Sequence, residues 1–154
     1  EWKDAEAGVP WGVLLLFGGG LSLAAAAQSS GLAAWIGSSM PTGLSLFFLI
    51  LLFTTLIIFL TELTSNLATT ATFLPIVAII ATQFGFNPLL LTASIAIAAS
   101  CAFMLPVATP PNAIVFGSEL IKVPQMMRAG IVINLIAIII VSLAGIYLVP
   151  YFLI

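Results

Sequence analysis

The sequence predicts an all-α membrane protein, and its composition is the first observation that leads to this fold class. Of its 154 residues, 62% are hydrophobic and 5% are charged, whereas a soluble domain carries about 25% charged residues. Between Ala7 and Ser118 the only charged residue is Glu62. Several apolar tracts also approach the roughly 20 residues that a helix needs to cross a hydrocarbon core of about 30 Å. These features exclude an ordinary cytosolic protein, a disordered segment and a nucleic-acid-binding protein, which would need a basic face.

The rare residue types exclude several chemistries. The sequence has no His and one Cys, Cys101. Ser-His-Asp and Cys-His catalysis, His-containing metal sites, an internal disulfide and a Cys cluster for zinc are therefore excluded. An enzyme is not predicted, since the hydrophobic region has no Asp and Glu62 has no obvious acid or base partner. The chain opens without Met on a polar stretch, so we expect residues 1–154 to be one membrane unit of a longer protein.

The first predicted elements are two helices within residues 11–40. Trp11–Ala27 is apolar and is followed by a polar interruption. Leu32–Met40 is short and contains Trp35, a residue type that favours the headgroup level of a bilayer. We therefore expect a transmembrane helix followed by an interfacial one. Pro41-Thr42-Gly43 then breaks the chain.

Residues 44–83 are predicted to form two apolar arms around a polar segment. The arms are Leu44–Leu60 and Leu67–Gln83, and the segment between them is Thr61–Asn66. The first arm spans about 25 Å at 1.5 Å per residue, which is short for a full crossing. Two interpretations follow: a re-entrant hairpin whose tip lies at membrane depth, or an exposed loop between two slightly short spanning helices.

Residues 89–120 are predicted to form a broken helix. The apolar arm Leu89–Leu105 stops at Pro106–Asn112, a segment with three prolines, each of which lacks an N–H and clashes with the preceding turn. Asn112 is predicted to cap the half-helix that follows. A plain proline kink between two packed helices is the alternative. The last tract, Ala129–Ile154, has 26 residues without a charge and is the clearest spanning helix.

The two polar segments form the predicted functional site. Backbone outside a helix is not tolerated against lipid, so such breaks are buried in protein or line a wet cavity, and they point to the binding site of a transporter. Neutral oxygens suit an alkali or alkaline-earth cation, and they come from Thr61, Thr64, Ser65, Asn66, Ala108 and Thr109. The helix N-termini that follow the breaks favour an anion. Glu62 is a functional candidate by its place in a membrane, although structural pairing is the interpretation that we favour.

The sequence resembles the divalent anion/sodium symporter family, the INDY-type transporters, in two strings. They are Thr61-Glu62-Leu63-Thr64-Ser65-Asn66 and Leu105-Pro106-Val107-Ala108-Thr109-Pro110-Pro111-Asn112-Ala113-Ile114-Val115-Phe116-Gly117. The resemblance implies a Na⁺-coupled carrier of dicarboxylates, tricarboxylates or sulfate. It also implies two inverted repeats, each with one re-entrant hairpin and one broken helix. This chain would be the C-terminal part of the second repeat, with the hairpin at 44–83, the broken helix at 89–120 and the last helix at 129–154.

The resemblance also implies which residues bind. A Na⁺ site would use Thr61, the carbonyl near Thr64, Asn66 and the carbonyl of Ala108. The anionic substrate would contact Ser65, Asn66, Thr109 and Pro110. Members of the family work as homodimers in the lipid bilayer, with an elevator-like movement of the transport domain. Two departures matter: Leu67 stands where the family usually has Thr, with Thr69 and Thr70 nearby, and the N-terminal repeat that completes the site is missing.

The basic residues predict the orientation. If the hairpin enters and leaves on one side, Lys3, Lys122 and Arg128 fall together, and the positive-inside rule assigns them to the cytoplasm. We therefore expect a multi-pass protein of the plasma (inner) membrane with its C-terminus outside. The predicted function is Na⁺-coupled symport of a di- or tricarboxylate or sulfate. The alternatives are an anion exchanger of the same fold and a non-transporting membrane scaffold subunit.

Overall fold

The computed structural model describes residues 2, 8–9, 11–39 and 43–153, and it contains seven α-helices and no strand among them. In chain order the helices are α1 (Trp11–Ser29), α2 (Leu32–Ser39), α3 (Leu46–Thr61), α4 (Asn66–Gln83), α5 (Pro88–Ala98), α6 (Pro110–Gly117) and α7 (Val123–Leu153). The predicted all-α class is therefore confirmed for these residues. Lys3 and most of the predicted break at Pro41-Thr42-Gly43 lie outside the described residues.

Short polar residues determine where several helices begin. Ser45, Ser65 and Asn87 precede α3, α4 and α5, and each side chain accepts an N–H from the first turn, at 3.4, 3.0 and 3.0 Å respectively. Such N-caps satisfy donors that have no partner within the helix. Between α4 and α5 the chain turns at Gly85, whose φ of +75° is costly for residues with a Cβ. The boundaries of the two arms are thus fixed locally.

The core lies where α3, α5 and α7 pack against one another. Its buried side chains are mostly large and aliphatic, including Leu49, Ile57, Leu91, Ile95 and Ile138. Helix α4 packs on α5, and α1 and α2 pack on α4. This arrangement places the C-terminal ends of α3 and α5 beside α7.

Within the described part of the chain, two helices, α4 and α7, are long and apolar enough to cross a membrane by length and composition. Helix α3 has 16 residues, and α5 and α6 have 11 and 8. At 1.5 Å per residue these three helices are about 24, 16 and 12 Å long. Each is shorter than a hydrocarbon core of about 30 Å.

The broken helix differs from its prediction in where its first part ends. Helix α5 ends at Ala98 rather than at Leu105, so the non-helical segment 99–109 begins before the first proline. The reason is tertiary. Side chains from the end of α3 replace the helical hydrogen bonds of this segment, as described below, so the chain leaves the helix earlier than Pro106 requires.

The prediction that Asn112 caps the second half-helix is wrong. Thr109 is the N-cap, and its Oγ1 accepts the N–H of Asn112 at 3.4 Å. Pro110 and Pro111 occupy the first two helical positions, where a missing N–H removes no helical hydrogen bond and the fixed φ of proline suits the helix. Asn112 therefore lies inside the first turn of α6, with its side chain buried.

The last helix begins earlier than predicted, at Val123 instead of Ala129. The side chain of Gln125 accepts the N–H of Lys122 at 2.9 Å, the backward half of a capping box. Arg128 therefore lies within α7, in its second turn, and its side chain is exposed.

Candidate functional site

The two polar segments of the chain meet at one cleft. The first is the tip between α3 and α4, and the second is the non-helical segment 99–109 between α5 and α6. The cleft has a volume of about 370 Å³ and is lined by Glu62, Leu63, Thr64, Ser65, Asn66, Val107, Ala108 and Pro110. Five of the residues predicted to bind an ion or a substrate thus line one cavity, although they come from two breaks far apart in the sequence.

The hydroxyl of Thr61, at the end of α3, contacts Asn66, one of the residues that line this cleft. Its Oγ1 is 2.7 Å from Oδ1 of Asn66 and 2.8 Å from the carbonyl oxygen of Ala99. A hydroxyl has one proton, so it donates to only one of these two acceptors at a time. Three neutral oxygens therefore gather around a single proton, and Thr61 itself is fully buried. Such a surplus of hard oxygen acceptors suits a small cation.

The hydroxyl of Thr64 is occupied within the tip. It lies 2.6 Å from the hydroxyl of Thr69 and 3.0 Å from the carbonyl of Leu60, and its single proton goes to one of these two oxygens at a time. The residue lines the cleft, so its contribution to a cation site would come from its backbone carbonyl. This is the atom near Thr64 that the sequence analysis assigned to the ion.

Ser65 and Thr109 cap the two helices that begin at the cleft. Each accepts a backbone N–H through its hydroxyl oxygen, from Ala68 at 3.0 Å and from Asn112 at 3.4 Å. Among the described residues neither hydroxyl donates a hydrogen bond, so the proton of each hydroxyl has no acceptor there. Ser65 lines the cleft directly, whereas Thr109 does so only through its neighbours Ala108 and Pro110.

Glu62 is the acidic residue of the tip, and only 4% of its surface is exposed. Its Oε1 accepts the N–H groups of Phe103 and Met104 at 2.8 and 2.9 Å, and its Oε2 accepts that of Leu105 at 3.0 Å. A fourth donor, Nδ2 of Asn134 on α7, reaches Oε1 at 2.8 Å. Among the described residues no basic side chain pairs with Glu62, so N–H dipoles alone compensate its charge.

Asn112 satisfies the carbonyl groups of the same segment. Its Nδ2 donates to the carbonyls of Ala102 and Leu105 at 2.9 and 3.0 Å. Helix α7 lies close to this backbone at Gly130, where a Cβ would overlap the carbonyl of Phe103 and the Cα of Met104. The unwound backbone is therefore held from three elements: the tip, the first turn of α6 and the face of α7.

Sequence reasoning missed Ala99, Asn134 and Gly130, and it gave Asn112 the wrong role. Asn134 carries a signal that could have found it, because it is an amide within a long uncharged spanning helix, where polar side chains have partners. Ala99 and Gly130 carry no such signal. They contribute a backbone oxygen and an absent side chain, and only the packing of α5 and α7 reveals either one.

Comparison with known proteins shows that the chain matches a known family. Residues 1–154 match the model of a family described as "Sodium:sulfate symporter transmembrane region". The chain is 46% identical over 152 residues to the sodium-dependent dicarboxylate transporter SdcS of Staphylococcus saprophyticus. The aligned region covers 97% of the chain and 29% of that protein. The chain is 48% identical, with the same coverage, to the proteins of that name from Staphylococcus aureus strains MRSA252 and USA300. The chain thus spans about 29% of the length of these curated relatives.

Proposed function

Because the chain belongs to the sodium:sulfate symporter transmembrane family, we propose that it is part of a secondary active transporter that couples Na⁺ to the movement of a small dianion or trianion. The resemblance inferred from the two strings is confirmed by this membership, and the chain is an integral membrane protein. The observation that carries the proposal is the cleft. Oxygens that suit a cation and helix N-termini that suit an anion meet there, between the tip and the second break.

The cation would be held by neutral oxygens at the back of the cleft. Thr61, Asn66 and the carbonyls of Thr64 and Ala108 remain the proposed Na⁺ ligands, and the carbonyl of Ala99 adds an oxygen beside Thr61. Na⁺ belongs to the hard cations, which bind such oxygens. Bound there, the ion would supply a positive charge that the anion site otherwise lacks. Coupling follows, because the anion enters a favourable field only after the cation has bound.

The anion would be held at the front of the cleft. Ser65 and Thr109 offer hydroxyl protons, and the Nδ2 of Asn66 donates no hydrogen bond within the described part of the chain. The N-termini of α4 and α6 add their dipoles. The relatives named above are dicarboxylate transporters, so we favour a di- or tricarboxylate over sulfate.

The change at Leu67 is not compensated by its neighbours. Thr69 directs its hydroxyl to the carbonyl of Ser65, and Thr70 directs its hydroxyl to the carbonyl of Asn66, at 3.0 and 2.7 Å. Both are back-bonded within α4 and supply no donor in place of the family's Thr. We infer that this half of the site binds the anion through fewer hydroxyls than in family members with Thr at position 67. The remaining donors would come from the N-terminal repeat.

The topology is proposed from helix lengths and charges. We propose that α3 and α4 form a re-entrant hairpin, that α5 and α6 form the broken helix of the second inverted repeat, and that α7 is the last span. Helix α3 is about 24 Å long and ends in a polar tip whose Glu62 side chain is buried against the backbone of the break, which supports a hairpin. Lys122 and Arg128 would face the cytoplasm in the plasma membrane, with the C-terminus outside, and the protein would form a homodimer that moves as an elevator.

The proposal is tested with the full-length protein in proteoliposomes. Uptake of labelled succinate is measured with inward gradients of Na⁺ or of choline, for the wild type and for the variants N66A and T109A. Controls are N87A and T92A, which alter the N-cap amide of α5 and a hydroxyl within α5; neither residue lines the cleft. We expect Na⁺-dependent uptake that falls at least tenfold in N66A and T109A and stays unchanged in the controls.

Two results would contradict the proposal. Uptake that is indifferent to Na⁺ would support an anion exchanger of the same fold. A protein that inserts normally but shows no uptake of carboxylates or sulfate would support a scaffold subunit.

A further inference from the structure

Two consecutive residues, Thr61 at the end of α3 and Glu62 in the tip, replace one turn of helix in the break. In a continuous α-helix the N–H of Phe103 would donate to the carbonyl of Ala99, four residues earlier. Here the carbonyl of Ala99 faces the hydroxyl of Thr61, and the N–H of Phe103 and of the next two residues faces the carboxylate of Glu62. The carboxylate of Glu62 thus accepts the N–H groups that the missing turn leaves free. The hydroxyl of Thr61 donates to the carbonyl that the same turn leaves free.

Helix α7 fixes the orientation of this carboxylate. Asn134 is fully buried and directs its Nδ2 to Oε1 of Glu62 at 2.8 Å. One turn earlier, Gly130 leaves room for the backbone of residues 103 and 104 to lie directly on α7. The Oδ1 of Asn134 is buried and has no partner within the described residues. An apolar side chain would avoid the cost of this unpaired oxygen. The hydrogen bond from Nδ2 to Glu62 therefore explains why an amide occupies this position.

We propose that Glu62 and Asn134 are positioning residues for the cation site. They hold segment 99–109 in the non-helical path that places Ala108 at the cleft, and they contact neither the cation nor the anion. The inference rests on the proposed function for the identity of the ion, but the geometric claim does not depend on it. Four N–H donors occupy the carboxylate, and it therefore acts through the backbone that it binds.

A positioning role for Glu62 and Asn134 predicts how the Na⁺ dependence of uptake changes when either residue is replaced. If the two residues preorganise the site, then without them part of the free energy of cation binding is used to order the segment. The ion-bound state remains competent for transport. The Na⁺ concentration for half-maximal uptake then rises, and the maximal rate at saturating Na⁺ stays close to that of the wild type. A residue with a merely structural role would lower the amount of folded protein without changing this concentration.

The first experiment measures the distance between the tip and the break in the full-length protein in nanodiscs. Spin labels are placed at L63C and V107C, two positions that line the cleft and are 78% and 85% exposed, in a cysteine-free background of the full-length protein in which Cys101 is replaced by Ala. N134A and E62Q are compared with S142A, which truncates another fully buried polar side chain on α7. Without Na⁺, we expect a broader distance distribution in N134A and E62Q, which added Na⁺ narrows, and no change in S142A.

The second experiment measures Na⁺ dependence of uptake in the same variants. We expect about a tenfold rise of the half-maximal Na⁺ concentration in N134A and E62Q, the size that the loss of a hydrogen bond to a charged group produces, and none in S142A. If N134A fails to insert, N134S keeps a shorter donor and should give an intermediate shift.

Some outcomes overturn the inference. If E62Q changes the Na⁺ dependence and N134A does not, Glu62 is itself a cation ligand and the positioning role is wrong. Distance distributions that are identical in all variants also exclude it. Wild-type uptake that is indifferent to Na⁺ would overturn the proposed function instead, and the distances measured without the ion would still decide whether the two residues hold the segment.

Discussion

The hydroxyl of Thr61, the last residue of α3, lies 2.7 Å from the side-chain oxygen of Asn66, the first residue of α4. This contact closes the tip upon itself. Because the same hydroxyl reaches the carbonyl of Ala99, it also joins the tip to the end of α5. One hydroxyl group therefore connects both halves of the candidate site, and its removal should affect both the stability and the ion dependence of the protein.

Replacing Thr61 with Val tests this connection, because the two side chains have almost the same shape. T61V leaves the carbonyl of Ala99 without its donor, and an unsatisfied buried acceptor costs about 1–3 kcal/mol. We expect a lower melting temperature in detergent and loss of Na⁺-dependent stabilisation. T55V is the control, since the hydroxyl of Thr55 bonds only within α3, to Leu51 at 2.7 Å. Equal behaviour of the two variants would show that the hydroxyl of Thr61 has no special role.

Asn112 provides a second test, directed at the carbonyl groups of the break. N112A removes the donor that serves the carbonyls of Ala102 and Leu105, and we expect a loss of about 1–3 kcal/mol in stability. N112D should be worse than N112A, because a carboxylate would face two carbonyl oxygens in a buried site. Thermal unfolding of the purified full-length protein measures both. An N112D variant as stable as the wild type would contradict the assigned orientation of this amide.

The sequence predicted the fold class and the two breaks because both depend on local chemistry. Apolar tracts of limited length predict membrane helices, and three prolines near residue 110 predict that a helix ends. The misassigned cap was also a local matter. The preference of proline for the first helical position points to Thr109 rather than Asn112 as the N-cap, and that preference outweighs the frequency of Asn at N-caps.

The true end of α5 at Ala98 could not be predicted in this way. It depends on the carboxylate of Glu62, which competes with the helix for the N–H groups of Phe103–Leu105. Nothing near residue 98 in the sequence signals that competition. The partner of Asn134 is equally non-local, because any of several polar groups could have met it. The position of a helix end thus depends on the groups that it binds in the folded protein.

Gly130 gives a third test, based on close packing. A Cβ at this position would overlap the backbone of Phe103 and Met104, so G130A should push the break away from α7. Overpacking of this kind costs about 1–3 kcal/mol, and we expect a lower melting temperature together with a weaker response to Na⁺. G19A in α1 is the control, because nothing lies within 4 Å of a Cβ placed there. A G130A protein that matches G19A would show that the break does not rest on α7.

Ser65 allows a helix cap to be separated from a substrate contact. Ser65 and Ser45 cap α4 and α3 in the same way, each accepting a backbone N–H, but only Ser65 lines the cleft. S65A and S45A should therefore each lose about 1 kcal/mol of stability, the usual cost of removing a serine cap. Only S65A also loses a hydroxyl proton that can reach an anion, so only S65A should raise the KM for succinate, by about tenfold for a hydrogen bond to a charged group. S65T keeps the hydroxyl and should restore most of the affinity. The measurement is initial uptake against succinate concentration at saturating Na⁺, in the full-length protein. If S45A raises the KM as much as S65A does, the effect comes from helix capping, and Ser65 does not contact the substrate.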